Sequence, residues 1–132
     1  YSAIVIAGHL PPGGRLTCVE ANDFLASQVA RNVEEAGFAG RVSVVAGDAL
    51  RVLPRIRARF DFALIDATKE HYLDYLRRLE PKLRPGAVVV ADNTKAHRYW
   101  VRNYLRYVRE SGRYTSREYD FGWDAMEVSI LR

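Results

Sequence analysis

Four acidic residues stand where short apolar runs end. Glu20 closes residues 16–20 (LTCVE), Asp48 follows residues 42–46 (VSVVA) through Gly47, Asp66 closes residues 60–66 (FDFALID), and Asp92 follows residues 87–91 (AVVVA). Asp66, Asp92 and the adjacent Asn93 form the sharpest group. If their runs are neighbouring strands, spaced about 4.8 Å apart, two carboxylates and one amide oxygen are presented to one small space. Such a set suits Mg²⁺ or Ca²⁺ and leaves positions for water and substrate. Without Cys or His it does not suit zinc. Lys69 lies three residues beyond Asp66. A lysine beside a divalent cation gives up its proton more readily, which is what a general base needs. Glu20 at a strand end can accept both hydroxyls of a ribose, and Asp48 stands where it could meet an adenine amino group. Each of these residues also has a plainer role. Asp48 is a good helix cap, Glu20 a helix-proximal acid, Asp66 and Asp92 two separate turn acids, and Lys69 an exposed residue opening a helix. Spacing alone leaves the metal question even, and for Lys69 it favours the plainer role.

The elements that must position these residues follow from the hydrophobic periods. After the turn Pro11-Pro12-Gly13-Gly14, residues 16–20 read as a strand. Asn22 or Asp23 caps a helix whose apolar positions Phe24, Leu25, Val29, Val33 and Ala36 recur at helical spacing until Gly37. Residues 42–46 form a second strand, Asp48 opens a short helix, and residues 60–66 form a third strand. Residues 72–83 are helical, Arg84-Pro85-Gly86 is a turn, and the near-continuous apolar residues 87–91 suit a strand covered on both faces. A long helix spans residues 97–111. Residues 114–119 and 125–131, joined by a short link, predict an antiparallel hairpin. Strands alternating with helices specify an α/β fold with a mainly parallel sheet. In such a sheet ligands lie beyond the carboxyl ends of the strands, where all four acids stand.

The 132 residues suit a single domain. Apolar residues are 48% and charged residues 27% of the chain, which excludes a disordered class. The one cysteine, Cys18, excludes an internal disulfide framework and fits a reducing, cytoplasmic setting. No apolar run is long enough for a membrane span, and the apolar opening without a basic leader is unlike a signal peptide. The net charge of +4 comes mainly from Arg scattered at helical spacing, which reads as solvated helix faces rather than a nucleic-acid groove. His9, His71 and His97 share no ligand spacing. Tyr99, Trp100, Tyr104 and Tyr107 read as packing of the long helix, and Trp123 at the hairpin tip reads equally as a roof over a flat substrate or as core-edge packing.

The order TCVEAN, GDAL, FDFALIDATKEHY, LRPGAVVVADN and WDAMEVSIL resembles the class I S-adenosylmethionine-dependent O-methyltransferases of the catechol and caffeoyl-CoA type, over nearly the whole chain. The resemblance implies a Rossmann-like three-layer sandwich and methyl transfer to a hydroxyl oxygen of a small, catechol-like acceptor. It implies S-adenosylmethionine as cofactor, with Ser2, Glu20, Asp48 and Asp66 on the cofactor side. Ser2 enters as part of Tyr1-Ser2-Ala3, which resembles the end of the family's first motif, and Asp48 falls in the segment flanking the adenine. It further implies Mg²⁺ or another divalent cation on Asp66, Asp92 and Asn93, and Lys69 as the catalytic base. The family's first strand and Gly-rich loop precede that motif, so residues 1–132 are expected to be an N-terminally incomplete domain. Edge strands left bare in this way, residues 16–20 and 60–66, are expected to close directly on each other or to be covered by a second copy or an exchanged segment. The extended hairpin loop that carries the family's acid for a second acceptor hydroxyl is absent, and Asp120 and Asp124 are weak replacements. The alternative from another class is a catalytically silent methyltransferase-like module that works with a partner chain. A nucleic-acid methyltransferase is disfavoured, because Asp66-Ala67-Thr68-Lys69 replaces the Asn/Asp-Pro-Pro-aromatic segment expected of one.

Overall fold

A computed structural model describes residues 2–132. Tyr1 of the first motif lies outside the described residues. The chain divides into two units, the first ending at Arg55 and the second running Ile56–Arg132.

The first unit begins with the helix α1 (Ser2–Gly8), followed by β1 (Leu16–Glu20), α2 (Asp23–Glu35), β2 (Val42–Ala46) and the short helix α3 (Ala49–Val52). The two strands pair in parallel, from Leu16 opposite Val42 to Glu20 opposite Ala46. Asn22 caps α2 by accepting the Leu25 N–H at 3.0 Å, so of the two candidate caps it is Asn22 that serves. Ala7, Val33 and Val42 form the buried centre, with Leu16, Cys18, Val29, Phe38 and Val44 packed around them. Phe24 and Leu25, part of the apolar set read for this helix, are exposed at its first turn. After β2 the chain turns at Gly47, where φ is +151° and a Cβ would stand 2.9 Å from the Val52 side chain. Only glycine fits so close an approach, and the turn delivers Asp48 to the start of α3.

The second unit holds β3 (Phe60–Ile65), α4 (Tyr72–Leu79), β4 (Leu83–Ala91), α5 (Arg98–Glu110), β5 (Tyr114–Asp120) and β6 (Ala125–Leu131). Its sheet has the order β3-β4-β6-β5. β3 and β4 are parallel, while β6 is antiparallel to both β4 and β5, which gives the expected hairpin. The buried centre includes Tyr72, Leu76, Val89, Val101, Tyr104 and Val108. Tyr72 of α4 meets Tyr104 of α5 edge to face, with ring centroids 5.8 Å apart. Burying rings of this size dominates the local apolar gain, at roughly 25 cal/mol per Å² removed from water.

Two boundaries and the burial of several aromatic residues differ from the sequence reading. The helix read over residues 72–83 ends at Leu79, and a 3₁₀ turn (Glu80–Lys82) with Pro81 follows it. Proline lacks the N–H that would carry the helix on. The turn Arg84-Pro85-Gly86 lies inside β4 rather than before it. From Leu83 to Val88 this strand advances five residues while β3 advances two, so the register shifts there, and Gly86 takes φ +84° within the shift. In α5, Tyr104 is buried as expected, but Tyr99 and Trp100 are 63% and 50% exposed, so they are not core packing. Trp123 is 80% exposed at the hairpin tip, which removes core-edge packing as its role. No helix of the described residues is long and apolar enough to cross a membrane.

Candidate active site

The ends of β3 and β4 bring four of the predicted residues together. Ile65 and Ala91 are register partners, and the Asp92 N–H donates to the Ile65 carbonyl at 3.0 Å. Asp66 and Asp92 therefore leave adjacent strands side by side. Lys69 opens a 3₁₀ turn (Lys69–His71) leading into α4, and its ammonium reaches back across both strand ends. It donates to Asp66 Oδ1 at 3.3 Å, Asn93 Oδ1 at 3.2 Å, the Ala67 carbonyl at 3.2 Å and the Tyr72 hydroxyl at 2.9 Å. The Tyr72 hydroxyl in turn donates to the Asp92 carbonyl at 2.9 Å. Burial, then the charges of Asp66 and Asp92, push the Tyr72 phenol above its ordinary pKa. The carboxylate of Asp92 accepts the Asn93 N–H at 2.8 Å through Oδ1.

Asn93 is the one non-glycine residue at positive φ (+61°) among the described residues. Asparagine tolerates this region better than most residues, because its short polar side chain bonds locally. Here the partner is Asp124, which accepts from Asn93 Nδ2 at 2.7 Å. Asp124 also accepts the backbone N–H groups of Lys95, Ala96 and Ala125. Burial alone would raise its pKa, but the N–H of Ala96, the amide of Asn93 and the N–H groups of Ala125 and Lys95 outweigh it and pull the carboxyl down to about 2. Sequence reasoning weighed Asp124 and Asp120 as contacts to a second acceptor hydroxyl. The structure assigns both elsewhere. Asp124 is 3% exposed and turned onto Asn93, and Asp120 is held by Lys95 Nζ at 3.0 and 3.1 Å and by the Gly122 N–H. An acid beside a hairpin turn reads as solvated punctuation, so no local signal marks Asp124.

The fit of this cluster to a hard divalent cation rests on its donors. Asp66 Oδ1 and Asn93 Oδ1 already converge on one positive atom, Lys69 Nζ. Every side-chain donor in the set is oxygen, the chemistry Mg²⁺ and Ca²⁺ require. Among the described residues no three of His, Cys, Asp and Glu gather into a metal cluster. The set here is two carboxylates and an amide, and it is compatible with a cation that retains several waters.

The remaining predicted residues belong to the first unit. Glu20, at the end of β1, accepts the Asn22 N–H at 3.1 Å through Oε1, while its carbonyl accepts the Gly47 N–H at 2.9 Å. This ties the ends of β1 and β2 together and leaves the Glu20 carboxylate beside them. Asp48 caps α3 through the Leu50 N–H at 2.9 Å, so the plainer role read for it is present. Ser2 is exposed at the start of α1.

Comparison with known proteins gives the chain a family. A family model described as O-methyltransferase matches residues 1–104. Catechol O-methyltransferase B of Danio rerio is 34% identical over 144 aligned residues, covering 99% of this chain and 54% of that protein. Catechol O-methyltransferase of Mycobacterium tuberculosis is 38% identical over 94 residues, covering 70% of this chain and 43% of that protein. Among solved structures, the O-methyltransferase from Bacillus cereus in complex with SAH superposes with a TM-score of 0.93 at 26% identity, covering 100% of this chain and 69% of that one. The O-methyltransferase TomG from Streptomyces achromogenes, in complex with SAM, gives 0.91 at 30% identity, covering 99% and 68%. The chain spans about half the length of the curated relatives it matches.

Proposed function

The chain belongs to the O-methyltransferase family, and from that premise we propose that the whole protein moves a methyl group from S-adenosylmethionine to a hydroxyl oxygen of a small, catechol-like acceptor, with a divalent cation held by Asp66, Asp92 and Asn93. The observation that carries the reading is the convergence of Asp66 Oδ1 and Asn93 Oδ1 on the Lys69 ammonium at adjacent strand ends. The structures in complex with SAH and SAM support the cofactor, and the catechol relatives support the acceptor class. Residues 1–132 are read as part of one methyltransferase domain.

When bound, the cation would supply positive charge that lowers the pKa of the acceptor hydroxyl and orients its oxygen. Lys69, once its ammonium has released a proton to solvent, takes the proton from that hydroxyl through the neutral Nζ. Tyr72 cannot serve instead, because its own proton is committed to the Asp92 carbonyl and its phenol is hard to ionise. Tyr72 and the Ala67 carbonyl hold Nζ in place. Glu20 accepts the ribose hydroxyls, Asp48 and Ser2 lie on the cofactor side, and Asp66 serves both the cofactor and the cation. Positioning supplies much of the remainder, since methyl transfer requires an in-line approach of oxygen to carbon.

The test is methyl transfer from labelled S-adenosylmethionine to catechol by the whole protein. Activity is expected with Mg²⁺, and it is expected to vanish with excess EDTA and in Asp66→Ala. Undiminished activity in EDTA would remove the cation from the reaction. Cofactor binding without any turnover would favour a silent binding module.

A further inference from the structure

A side-chain amide has an oxygen and an NH₂ group, and only the oxygen can hold a cation. At Asn93 the choice is made by Asp124, whose two oxygens divide their work. Oδ1 serves the backbone alone, accepting the N–H groups of Lys95 at 3.2 Å, Ala96 at 3.0 Å and Ala125 at 2.8 Å. Oδ2 accepts from Asn93 Nδ2 at 2.7 Å. A carboxylate accepts and does not donate, so the group of Asn93 that faces it is the NH₂. The Asn93 oxygen is thereby turned to Lys69 Nζ, 3.2 Å away on the strand-end side. Asp124 is itself 3% exposed, so water does not compete for these bonds.

We propose that Asp124 is a positioning residue that holds the Asn93 amide in the one orientation presenting its oxygen to a divalent cation shared with Asp66 and Asp92. The proposal rests on the cation reading above and adds to it a residue that touches neither cation nor substrate. It also explains why a buried acid at a hairpin end, far along the chain, is matched to a strand-end asparagine. In Asp124→Asn the retained oxygen still takes the three backbone N–H groups, but the new NH₂ faces the NH₂ of Asn93. The relief open to the pair is a flip of the Asn93 amide, which aims a donor at the cation. In the double variant Asn93→Asp/Asp124→Asn, donor and acceptor change places. The introduced amide donates to the introduced carboxylate, whose second oxygen again faces the cation.

The experiment is Mn²⁺ titration of the whole protein without substrate, following free Mn²⁺ by electron paramagnetic resonance, with thermal unfolding recorded alongside. Affinity is expected to fall about 10–100-fold in Asp124→Asn, the usual cost of losing the partner that orients a ligand, and to return to at least the wild-type value in the double variant. An Asp124 that only braces the loop gives a different pattern: a lower unfolding midpoint, unchanged Mn²⁺ affinity and no rescue. That pattern overturns the proposal. A wild-type protein that binds no Mn²⁺ overturns the cation reading and the proposal with it, and the wild-type titration alone distinguishes that failure from the other. Hydrogen exchange of the wild-type Asn93 side chain needs no variant. Slow exchange of its NH₂ is expected, and exchange at the rate of an exposed asparagine overturns the proposal.

Discussion

The Lys69 ammonium has three protons and four oxygen acceptors within 3.3 Å, and its side chain is 17% exposed. Two readings of such a residue make different predictions. As a structural charge it joins two strand ends, and any cation of similar reach would serve. As a base it must exchange a proton, which arginine cannot do at ordinary pH. Lys69→Ala is expected to lower kcat roughly 10²–10⁴-fold, the usual share of a general base, with cofactor affinity unchanged. Lys69→Arg is expected to be as inactive, although its charge is kept. Steady-state kinetics with catechol, beside calorimetric binding of S-adenosylmethionine, makes the check, and an active Lys69→Arg returns the residue to a structural role. Lys69, Asp66, Asp92 and Asn93 were legible because strands end where apolar runs end, and ligand chemistry gathers at those ends. Asp124 was not legible, because its meaning depends on a backbone conformation at Asn93 that no spacing reveals.

At the level of elements, β6 shows why a correct strand assignment need not reveal its buried face. Alternation along residues 125–131 would turn Met126, Val128 and Ile130 inward. The structure buries the other set: Ala125, Glu127 and Ser129 are 0% exposed while Ile130 is 44% exposed. The reversal depends on α5. Arg109 donates to both Glu127 oxygens, at 3.0 Å through Nε and 2.7 Å through Nη2, and Ser116 Oγ donates to Oε2 at 2.6 Å. The hydrogen bond to Glu127 is also the main reason the Arg109 pKa is raised. A buried carboxylate left without its partner costs about 3–5 kcal/mol, while replacing the whole pair with apolar residues is close to neutral. Glu127 keeps Ser116 as a donor and the Arg109 side chain is 37% exposed, so Arg109→Met is expected to lose about 1–3 kcal/mol in urea unfolding, and Arg109→Met/Glu127→Leu is expected to recover most of that loss. Equal losses in the two variants would mean that the pair matters through packing and not through charge.

At the level of the whole molecule, the two faces of the four-stranded sheet differ in a way that bears on solution behaviour. On one face Ala63, Val89 and Ser129 form a cross-strand row, and Ile65, Ala91 and Glu127 form the next. Val89, Ser129, Ile65, Ala91 and Glu127 are all buried. On the other face the rows are Phe62, Val88, Ile130 and Leu64, Val90, Val128, apolar throughout. Phe62 and Ile130 are each 44% exposed there. The α/β rhythm and the parallel pairing were legible from the sequence, and the nearly continuous apolar run of β4 signalled cover on both faces. The second face nevertheless remains partly open in residues 2–132, and β3 is paired on one side only. Its later residues, Phe62 to Ile65, carry no Lys, Pro or bulge to discourage pairing with another strand. An apolar face and a bare edge on the same sheet favour contact with a second copy. The polypeptide 1–132 produced alone is therefore expected to scatter light as multiples of its 15.0 kDa mass. Phe62→Lys/Ile130→Lys, which places charge on the open face and leaves the α5 side untouched, is expected to shift it toward monomer. A wild-type polypeptide 1–132 that elutes as a single 15.0 kDa species and unfolds cooperatively would show that neither the face nor the edge needs cover.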